Sequence, residues 1–295
     1  MGRLDAARAE AGLSMAAEIA VVVMSYGERP TLASALASLA AQIPHPEIVV
    51  VHSGPGEPER ALAGAGISAQ LIRSSTRLYP GAARNAGVDA TTAPIVAFLA
   101  DDCVARPNWI AARLAAHGAG AATVASALIC HQPRNPIAMA AHLSLYVRRL
   151  PGAAPDLALR YGLSYQRALF DRYGRFRDDI EGGEDTDFNQ RLSSAEAPAW
   201  RPDVQTIHHG PETLTAFLHD QYRRGQRMAA SWAALGAHTA GDVAKNAVDR
   251  TGRIMRESLR FSAPEDRATV WAALPFIALG NLAYARGALR SRTDA

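Results

Sequence analysis

The sequence predicts an α/β fold, a mostly parallel sheet flanked by helices, with a helical carboxyl-terminal extension. Short apolar runs alternate with segments of helical spacing along the first 100 residues, and this alternation is typical of βαβ units. The apolar runs are continuous rather than alternating with polar residues, which indicates strands that are covered on both faces. From Pro211 onward the spacing is almost wholly helical.

The amino-terminal elements follow in order. Ile19–Met24 is predicted to be a strand that ends in the loop Ser25-Tyr26-Gly27, and Pro30 opens a helix because leucines follow it at helical spacing. A further helix is expected between the third and fourth strands. The remaining strands are predicted at Ile48–Val51, Ser68–Ile72 and Ile95–Leu99. Ligands of parallel sheets bind beyond the carboxyl ends of the strands, so we expect binding residues in the loops that follow them.

The second half of the chain is richer in helices. We predict helices at Trp109–His117, Pro136–Val147 and Glu184–Ser194, a short strand at Leu163–Tyr165 and an extended segment at Ala199–Ile207. The chain then divides into an amino-terminal extension over residues 1–18, one large domain over residues 19–235 and a helical carboxyl-terminal region over residues 236–295. No internal repeat is present at the period of a solenoid protein.

The composition excludes several classes of protein. The net charge is only +3, and no concentrated basic face with interleaved aromatic residues is present, so a nucleic-acid partner is not expected. The two cysteines, Cys103 and Cys130, lack CxxC partners and cannot build a disulfide framework, which indicates a reducing compartment and a cytoplasmic location. The first eighteen residues lack the continuous apolar core of a secretory signal.

Two polar motifs lie near the fourth predicted strand. Asp101 and Asp102 follow it directly, and paired carboxylates at a strand end suit a hard divalent cation whose shell is completed by water and phosphate oxygens. A solvated turn is the alternative for such a pair. Gly81–Gly87 (GAARNAG) precedes the strand, and Arg84 within it suits a forked contact with a phosphate. The alternative there is a helix start with a surface arginine.

Two more motifs lie further along the chain. Glu184 and Asp185 follow two glycines at a predicted helix start, where carboxylates are favoured by the exposed amides. Helix capping explains one acid, and Phe188 is spaced to anchor the helix so that Asp185 faces a cleft, as a general base requires. His208 and His209 close an extended segment, and a neutral imidazole there suits a metal or a phosphate. A surface pair without a ligand is the alternative.

In this order the motifs resemble those of the family 2 glycosyltransferases of the GT-A fold, from about Ile19 to Gln226. The matching stretches are IAVVVMSYGERPTLASALASLAAQ, GAARNAGVDATTAPIVAFLADDCVARPNW, GGEDTDFNQRL and VQTIHHGPETLTAFLHDQYRRGQ. The resemblance implies an inverting transfer from a nucleotide diphosphate sugar to a hydroxyl of a glycan, lipid or small-molecule acceptor. It implies a divalent metal, Mg²⁺ or Mn²⁺, as cofactor. Residues 19–102 would form the nucleotide-binding half and residues 103–235 the acceptor-binding half.

The resemblance also implies roles for individual residues. Asp185 matches the catalytic base, and Glu184 would position the acceptor or the base. Asp102 matches the last Asp of the Asp-x-Asp motif and would bind the metal, with His208 as a further ligand. The nucleotide-sugar contacts implied are Ser25, Tyr26, Glu28, Ser53, Arg84 for the phosphates, and Asp101. Two additional candidates for this end of the site are His209 and Arg224.

The chain departs from the family pattern at two positions. Ala100 stands where many relatives carry the first Asp, so Asp101 or water must supply that oxygen. His52 stands where relatives often place an Asp that contacts the base, which leaves the nucleotide open. Because of Ala100, an inactive glycosyltransferase-like scaffold or a lipid-binding module is the alternative function. A sugar nucleotidyltransferase is disfavoured because its glycine-rich loop with Arg and Lys is missing near the amino terminus.

The carboxyl-terminal region contains an uncharged stretch, Ala268–Ala285, at the lower length limit for a membrane span and interrupted by Pro275. A helix that lies in the membrane interface or packs on the catalytic domain is expected instead, with Trp271 at the level of the headgroups. Three arginines follow the stretch. The sequence therefore predicts a cytoplasmic enzyme that is peripheral on the inner face of the cell membrane, with a buried core helix as the alternative.

Overall fold

The computed structural model describes residues 17–158, 163–234 and 240–293. Most of the predicted amino-terminal extension, residues 1–16, therefore lies outside the described residues. The strands are β1 Ile19–Tyr26, β2 Glu47–Ser53, β3 Gln70–Ser74, β4 Ile95–Ala100, β5 Cys103–Ala105, β6 Thr123–Cys130, β7 Ser164–Gln166 and β8 Ala199–His208. The helices are α1 Leu32–Ala40, α2 Pro58–Ala65, α3 Pro80–Asp89, α4 Trp109–Gly118, α5 Pro136–Tyr146, α6 Ala168–Tyr173, α7 Glu184–Arg191, α8 Leu214–Ala234, α9 Ala240–Phe261 and α10 Arg267–Thr293.

The amino-terminal part of the sheet is a parallel array in the order β3-β2-β1-β4. Alternate residues of β1 enter different cores, because Val21 and Val23 pack on one face while Val22 packs on the other with Phe98. All three valines are fully buried. Burial on both faces explains why these strands read as continuous apolar runs, and it confirms the α/β prediction.

The remaining strands extend the sheet in the order β4-β7-β6-β8-β5. Strand β7 runs antiparallel to β4 and β6, and β5 runs antiparallel to β8, whereas β6 and β8 are parallel. Among the strands that the structure describes, four of the seven pairings are parallel, as predicted. Strands β5 and β6 and helices α2 and α6 were not predicted. Strand β6, TVASALIC, is rich in small residues of weak strand propensity.

The sheet curls so that its last strand, β5, returns beside β4 in the middle of the strand order. Only Asp101 and Asp102 separate β4 from β5, and three peptide links reach at most about 11 Å. In a flat sheet, β4 and β5 would lie four strand spacings apart, about 19 Å. The β6–β8 register also has a break, at which the pairing jumps on β8 from Arg201 to Gln205. The Asp101-Asp102 turn therefore lies where the edge strand β5 returns to β4.

The carboxyl-terminal helices pack on α5 and form a third core. Helices α8 and α10 approach so closely that a Cβ at Gly225 would lie 2.0 Å from the Tyr284 carbonyl oxygen, and one at Gly287 would lie 2.1 Å from that of Tyr222. The helical character predicted for residues 236–295 is confirmed over residues 240–293. By length and hydropathy alone, one helix in the described ranges, Pro264–Arg290, is able to cross a membrane.

Candidate functional site

The predicted nucleotide-binding end carries an exposed aromatic ring. A surface cleft of about 480 Å³ opens where β2 and β3 end, lined by Gly54, Pro55, Arg73, Ser74 and Ser75. Tyr26 lies over Gly54, where a Cβ would come within 2.9 Å of the tyrosine ring. The Arg77 guanidinium lies 5.1 Å from the centroid of that ring, and Glu28 is exposed nearby along the chain. This end of the sheet thus offers a flat ring face beside a cleft.

Behind this ring lies a buried polar cluster. His52 Nδ1 lies 3.2 Å from Ser25 Oγ, and Asp101 Oδ2 accepts a hydrogen bond of 3.2 Å from the Tyr26 amide. Burial, and then the charge of Asp102, raise the pKa of Asp101 above its ordinary range. Asp101 therefore joins the ends of β1 and β4. The carboxylate of Asp101 is directed at β1. To replace the carboxylate oxygen that Ala100 lacks, it would have to point outward.

Ser53, another predicted contact of the nucleotide-sugar donor, takes part in this region through its backbone. Its side chain is buried, and its carbonyl oxygen accepts a hydrogen bond of 3.0 Å from the Gly27 amide. The bond holds the loop after β1 against the end of β2. Ser53 thus shapes the loop that carries Tyr26 and Glu28. Within the described ranges His52 Nε2 is buried and has no hydrogen-bond partner.

Asp102 and His208 come together at the closing edge of the sheet. Strand β5 pairs with β8 at Cys103 and His208, and the Asp102 carbonyl oxygen accepts a hydrogen bond of 2.8 Å from the His209 amide. These contacts place His208 Nε2 3.8 Å from Asp102 Oδ2. The Asp102 side chain is 30% exposed, whereas that of His208 is 8% exposed. A carboxylate thus lies at the surface with an imidazole beside it.

The surroundings keep His208 neutral. Burial lowers the pKa of His208, and the nearby charge of Arg224 lowers it further. The charge of Asp102 raises this pKa, but by less than burial lowers it. Its ring meets Tyr146 edge-on at 4.8 Å between centroids, and its Nδ1 has no hydrogen-bond partner in the described ranges. A neutral imidazole has a free lone pair and is therefore able to ligate a metal.

The two further candidates lie close to this pair. Burial lowers the pKa of Arg224, but its charge pairing and 2.7 Å hydrogen bond with Asp220 outweigh burial, and the net shift is upward. Arg224 is thus a permanent cation near Asp102. The His209 ring stacks on His131 at 4.3 Å, and burial, followed by the charge of His131, lowers its pKa. His209 contributes its amide to the Asp102 turn while its ring faces His131.

Arg84 and Glu184 form a buried ion pair that joins α3 to α7. Arg84 Nε lies 3.1 Å from Glu184 Oε1, and the two side chains are 9% and 6% exposed. The guanidinium also lies over the rings of Phe98 and Phe176, at 4.8 and 5.4 Å. The phosphate contact expected of Arg84 stays a prediction, and the structure adds this ion pair with Glu184. Its Nη1 is buried without a hydrogen-bond partner among the described residues, and the side chain holds α7 in place.

Asp185 is the open member of the second acid pair. It is half-buried on the first turn of α7, where its Oδ1 accepts a hydrogen bond of 2.8 Å from the Thr186 amide. Burial raises its pKa, the charge of Arg84 opposes that shift, and Glu184 adds to it. Phe188 is fully buried and anchors the helix, as predicted. Among the described side chains, none forms an ion pair with Asp185.

Sequence reasoning missed one link across the site. Arg77 Nη2 lies 2.9 Å from Glu181 Oε1, although the two residues are 104 positions apart. The pair connects the loop beside Tyr26 to the glycine loop that precedes Glu184. No local pattern marks either residue, because each stands alone in an exposed loop, and only the fold brings them together.

Comparisons with known proteins agree with this architecture. The model of the family described as Glycosyl transferase family 2 matches residues 20–169. A comparison with curated proteins finds no match. Among solved structures, the chain is similar to a mannosyltransferase from Pyrobaculum calidifontis in complex with GDP-Man and Mn²⁺, with a TM-score of 0.58 and 16% identity over 95% of this chain and 88% of that one.

Two more solved structures have the same fold. TarS residues 1–349 from S. aureus align with a TM-score of 0.51 and 13% identity over 91% of each chain. Glucosyl-3-phosphoglycerate synthase from Mycobacterium tuberculosis, in complex with phosphoglyceric acid, aligns with a TM-score of 0.50 and 20% identity over 81% of this chain and 85% of that one. With the family match over half of its length, the chain is a glycosyltransferase that belongs to family 2 and has the GT-A fold.

Proposed function

We propose that this enzyme is a metal-dependent inverting glycosyltransferase that moves a sugar from a nucleoside diphosphate to an acceptor hydroxyl in one displacement. The observation that carries the proposal is the division of roles between Glu184 and Asp185. Glu184 is neutralised by Arg84 in a buried pair, whereas Asp185 has no such partner among the described side chains and a raised pKa. An open carboxylate with increased proton affinity suits a general base.

The cleft beside Tyr26 supports a nucleotide at the other end of the site. An exposed ring, an adjacent cleft and the buried Ser25–His52 pair lie where parallel sheets bind their ligands. The similar mannosyltransferase was crystallised with GDP-Man and Mn²⁺, which favours the same class of donor here. We assign Tyr26 and Glu28 to the nucleoside, with Ser25, Ser53 and Asp101 shaping the loop behind it.

Asp102 and His208 fit a divalent cation by their chemistry. The separation of 3.8 Å is too long for a hydrogen bond, so the two groups do not satisfy each other, and Asp102 Oδ1 accepts only a weak thiol hydrogen bond of 3.4 Å from Cys103 Sγ. One carboxylate and one neutral imidazole make a small donor set, and no cluster of three or more His, Cys, Asp or Glu side chains suited to a metal occurs in the described ranges. Mg²⁺ or Mn²⁺ at such a site relies on phosphate oxygens and water for its remaining ligands. When bound, it neutralises charge on the departing diphosphate.

The chain's own side chains perform the other tasks. Asp185 accepts the proton of the acceptor hydroxyl as that oxygen attacks the anomeric carbon from the face opposite the leaving group, which inverts the configuration. Glu184 and Arg84 fix the first turn of α7, so the base keeps its position. Arg224 adds a cation near Asp102, suited to the diphosphate.

We place the enzyme in the cytoplasm, with a glycan, lipid or small molecule as acceptor. The support is chemical: both cysteines, Cys103 and Cys130, are free, as is usual in a reducing compartment. An inactive scaffold is the competing function because of Ala100, and the same experiment separates the two.

The test is thermal stability with UDP, GDP, dTDP or CDP, each with and without Mn²⁺ or Mg²⁺. One nucleotide should raise the melting temperature, and only when metal is present. The size of the effect follows from ligand binding: a ligand at 100 times its Kd stabilises the native state by about 2.7 kcal/mol. The comparison variant is Asp102→Asn, which should reduce the metal-dependent part of the shift. No shift with any combination would favour the scaffold.

A further inference from the structure

Large exposed hydrophobic side chains concentrate on one stripe of α10. Trp271, Leu279 and Leu282 are 60%, 44% and 64% exposed. At 100° per residue they fall within an arc of about 100° on the helix. We call this surface the outer stripe, and its exposed members are Ala268, Trp271, Ala272, Pro275, Leu279, Leu282, Arg286 and Arg290. The stripe is thus apolar for most of its length and basic at its carboxyl-terminal end.

The opposite face of α10 belongs to the protein core. Val270, Ala273 and Ile277 are fully buried, and a Cβ at Gly280 would lie 2.4 Å from the Phe217 ring. A helix that spans a bilayer alone would have to give up these contacts. The hydropathy of α10 therefore reflects two different surfaces, one that completes the core and one that faces outward.

The charges on α10 itself are all of one sign. From Arg267 to Thr293 the sequence contains no acidic residue, and Arg286 forms no ion pair within the described ranges. The acids Glu265 and Asp266 stand before the helix begins, where its dipole favours them. A groove of about 540 Å³ runs beside the basic end of the stripe, lined by Leu218, His219, Tyr222, Leu282, Ala283, Arg286 and Arg290.

We propose that the outer stripe docks on an anionic lipid surface. Helix α10 lies in the plane of the interface, with Trp271, Leu279 and Leu282 among the upper acyl chains and Arg286 at the lipid phosphates. Charge complementarity favours lipid over a second copy of the chain, because this face carries no acid to meet the arginines of a partner. The inference goes beyond glycosyl transfer and does not depend on the assigned base or metal.

The test is co-sedimentation of the full chain with vesicles of phosphatidylcholine alone or mixed with phosphatidylglycerol. We expect binding to the mixed vesicles that weakens with added salt, because salt screens the arginines. The double substitution Leu279→Gln with Leu282→Gln should weaken that binding at least about tenfold, because both leucines lose the apolar surface that they would bury in the lipid. Arg286→Gln should weaken it less and reduce its salt dependence.

Ile43→Gln is the matched control, because Ile43 is 77% exposed and lies outside the C-terminal helices. This control should bind vesicles like the wild type. Every variant should keep the wild-type melting temperature and nucleotide response, so that a loss of vesicle binding is distinguished from a loss of donor binding. Equal binding by the leucine variant and the wild type would overturn the proposal. So would a wild-type dimer that the leucine substitutions convert to monomer, since that outcome assigns the stripe to a second copy.

Discussion

The turn after β4 and the first turn of α7 each carry two adjacent acids, and in both places one acid is structural while the other is open. Asp101 is held by the Tyr26 amide, and Glu184 is held by Arg84. Their neighbours Asp102 and Asp185 remain available at the surface of the site. The two regions differ in the holding group, a neutral amide in one and a buried cation in the other, so they should respond differently to substitution.

The largest effect is expected at the open acid of α7. Asp185→Asn should lower kcat by about 10²–10⁴-fold, because the amide cannot accept the acceptor's proton. Steady-state transfer, measured with the donor identified by thermal stability, checks this. Asp187→Asn is the control, because Asp187 lies on the same turn and pairs with Arg191 at 3.2 Å. Loss of activity in the control alone would move the base assignment to Asp187.

The held acid of α7 should matter most for stability. Glu184→Gln leaves the Arg84 guanidinium buried without its charge partner, and breaking such a pair costs about 3 kcal/mol or more. Urea unfolding measures the loss, and the combined change with Arg84→Met should recover part of it. If Glu184→Gln unfolds at the same urea concentration as the wild type, the buried pair does not stabilise the fold.

Substitutions of the two acids in the turn after β4 should separate an effect on metal affinity from an effect on the shape of the loop. Asp102→Asn is expected to weaken Mn²⁺ affinity at least about tenfold, since even outer-shell partners of a metal are worth 10–100-fold. Asp101→Asn keeps an oxygen for the Tyr26 amide, so its metal affinity should stay near the wild-type value. Calorimetric titration of both variants with Mn²⁺ and nucleotide distinguishes them, and equal losses would mean that both carboxylates serve the cation.

The smallest effect is a pH dependence at Asp185. The pKa of Asp185 is higher in the folded state than in the unfolded chain, where an aspartate titrates at about 3.9. Stability from this group is therefore greatest below the unfolded pKa and is lost as the pH rises through the folded pKa. Asp185→Asn should melt above the wild type at neutral pH and match it in acid.

The same shift should move catalysis. Because the base must be ionised, the acid limb of kcat/KM should lie at higher pH than for an ordinary aspartate. An acid limb at or below the ordinary aspartate range would contradict the assignment of Asp185.

The parallel half of the sheet was predictable because its strands are buried on both faces. Val21, Val22 and Val23 are fully covered, so an uninterrupted apolar run was the physical signature. Strand β6 left no such signal, since Ala125, Ser126 and Ala127 are small and their burial is imposed by neighbouring elements. Propensity cannot reveal a strand that tertiary packing defines.

The sequence indicated where the candidate site residues lie along the chain, but not which acid of each pair is held by other groups and which is open. Motifs marked both acid pairs, but they did not show that Arg84 pairs with Glu184, which lies 100 residues away. Spacing along the chain does not show which of two neighbouring carboxylates a distant guanidinium will reach. That choice depends on how α3 packs beside α7.

The curl of the sheet has a consequence for how this enzyme assembles. Asp102 and His208 are neighbours only after β8 has paired with β6 beyond its register break and with β5 at the sheet edge. Contacts between such distant segments carry a high cost in chain entropy and form late in folding. The proposed cation site therefore forms only once these strands have paired, and substitutions near Arg201 should weaken metal binding.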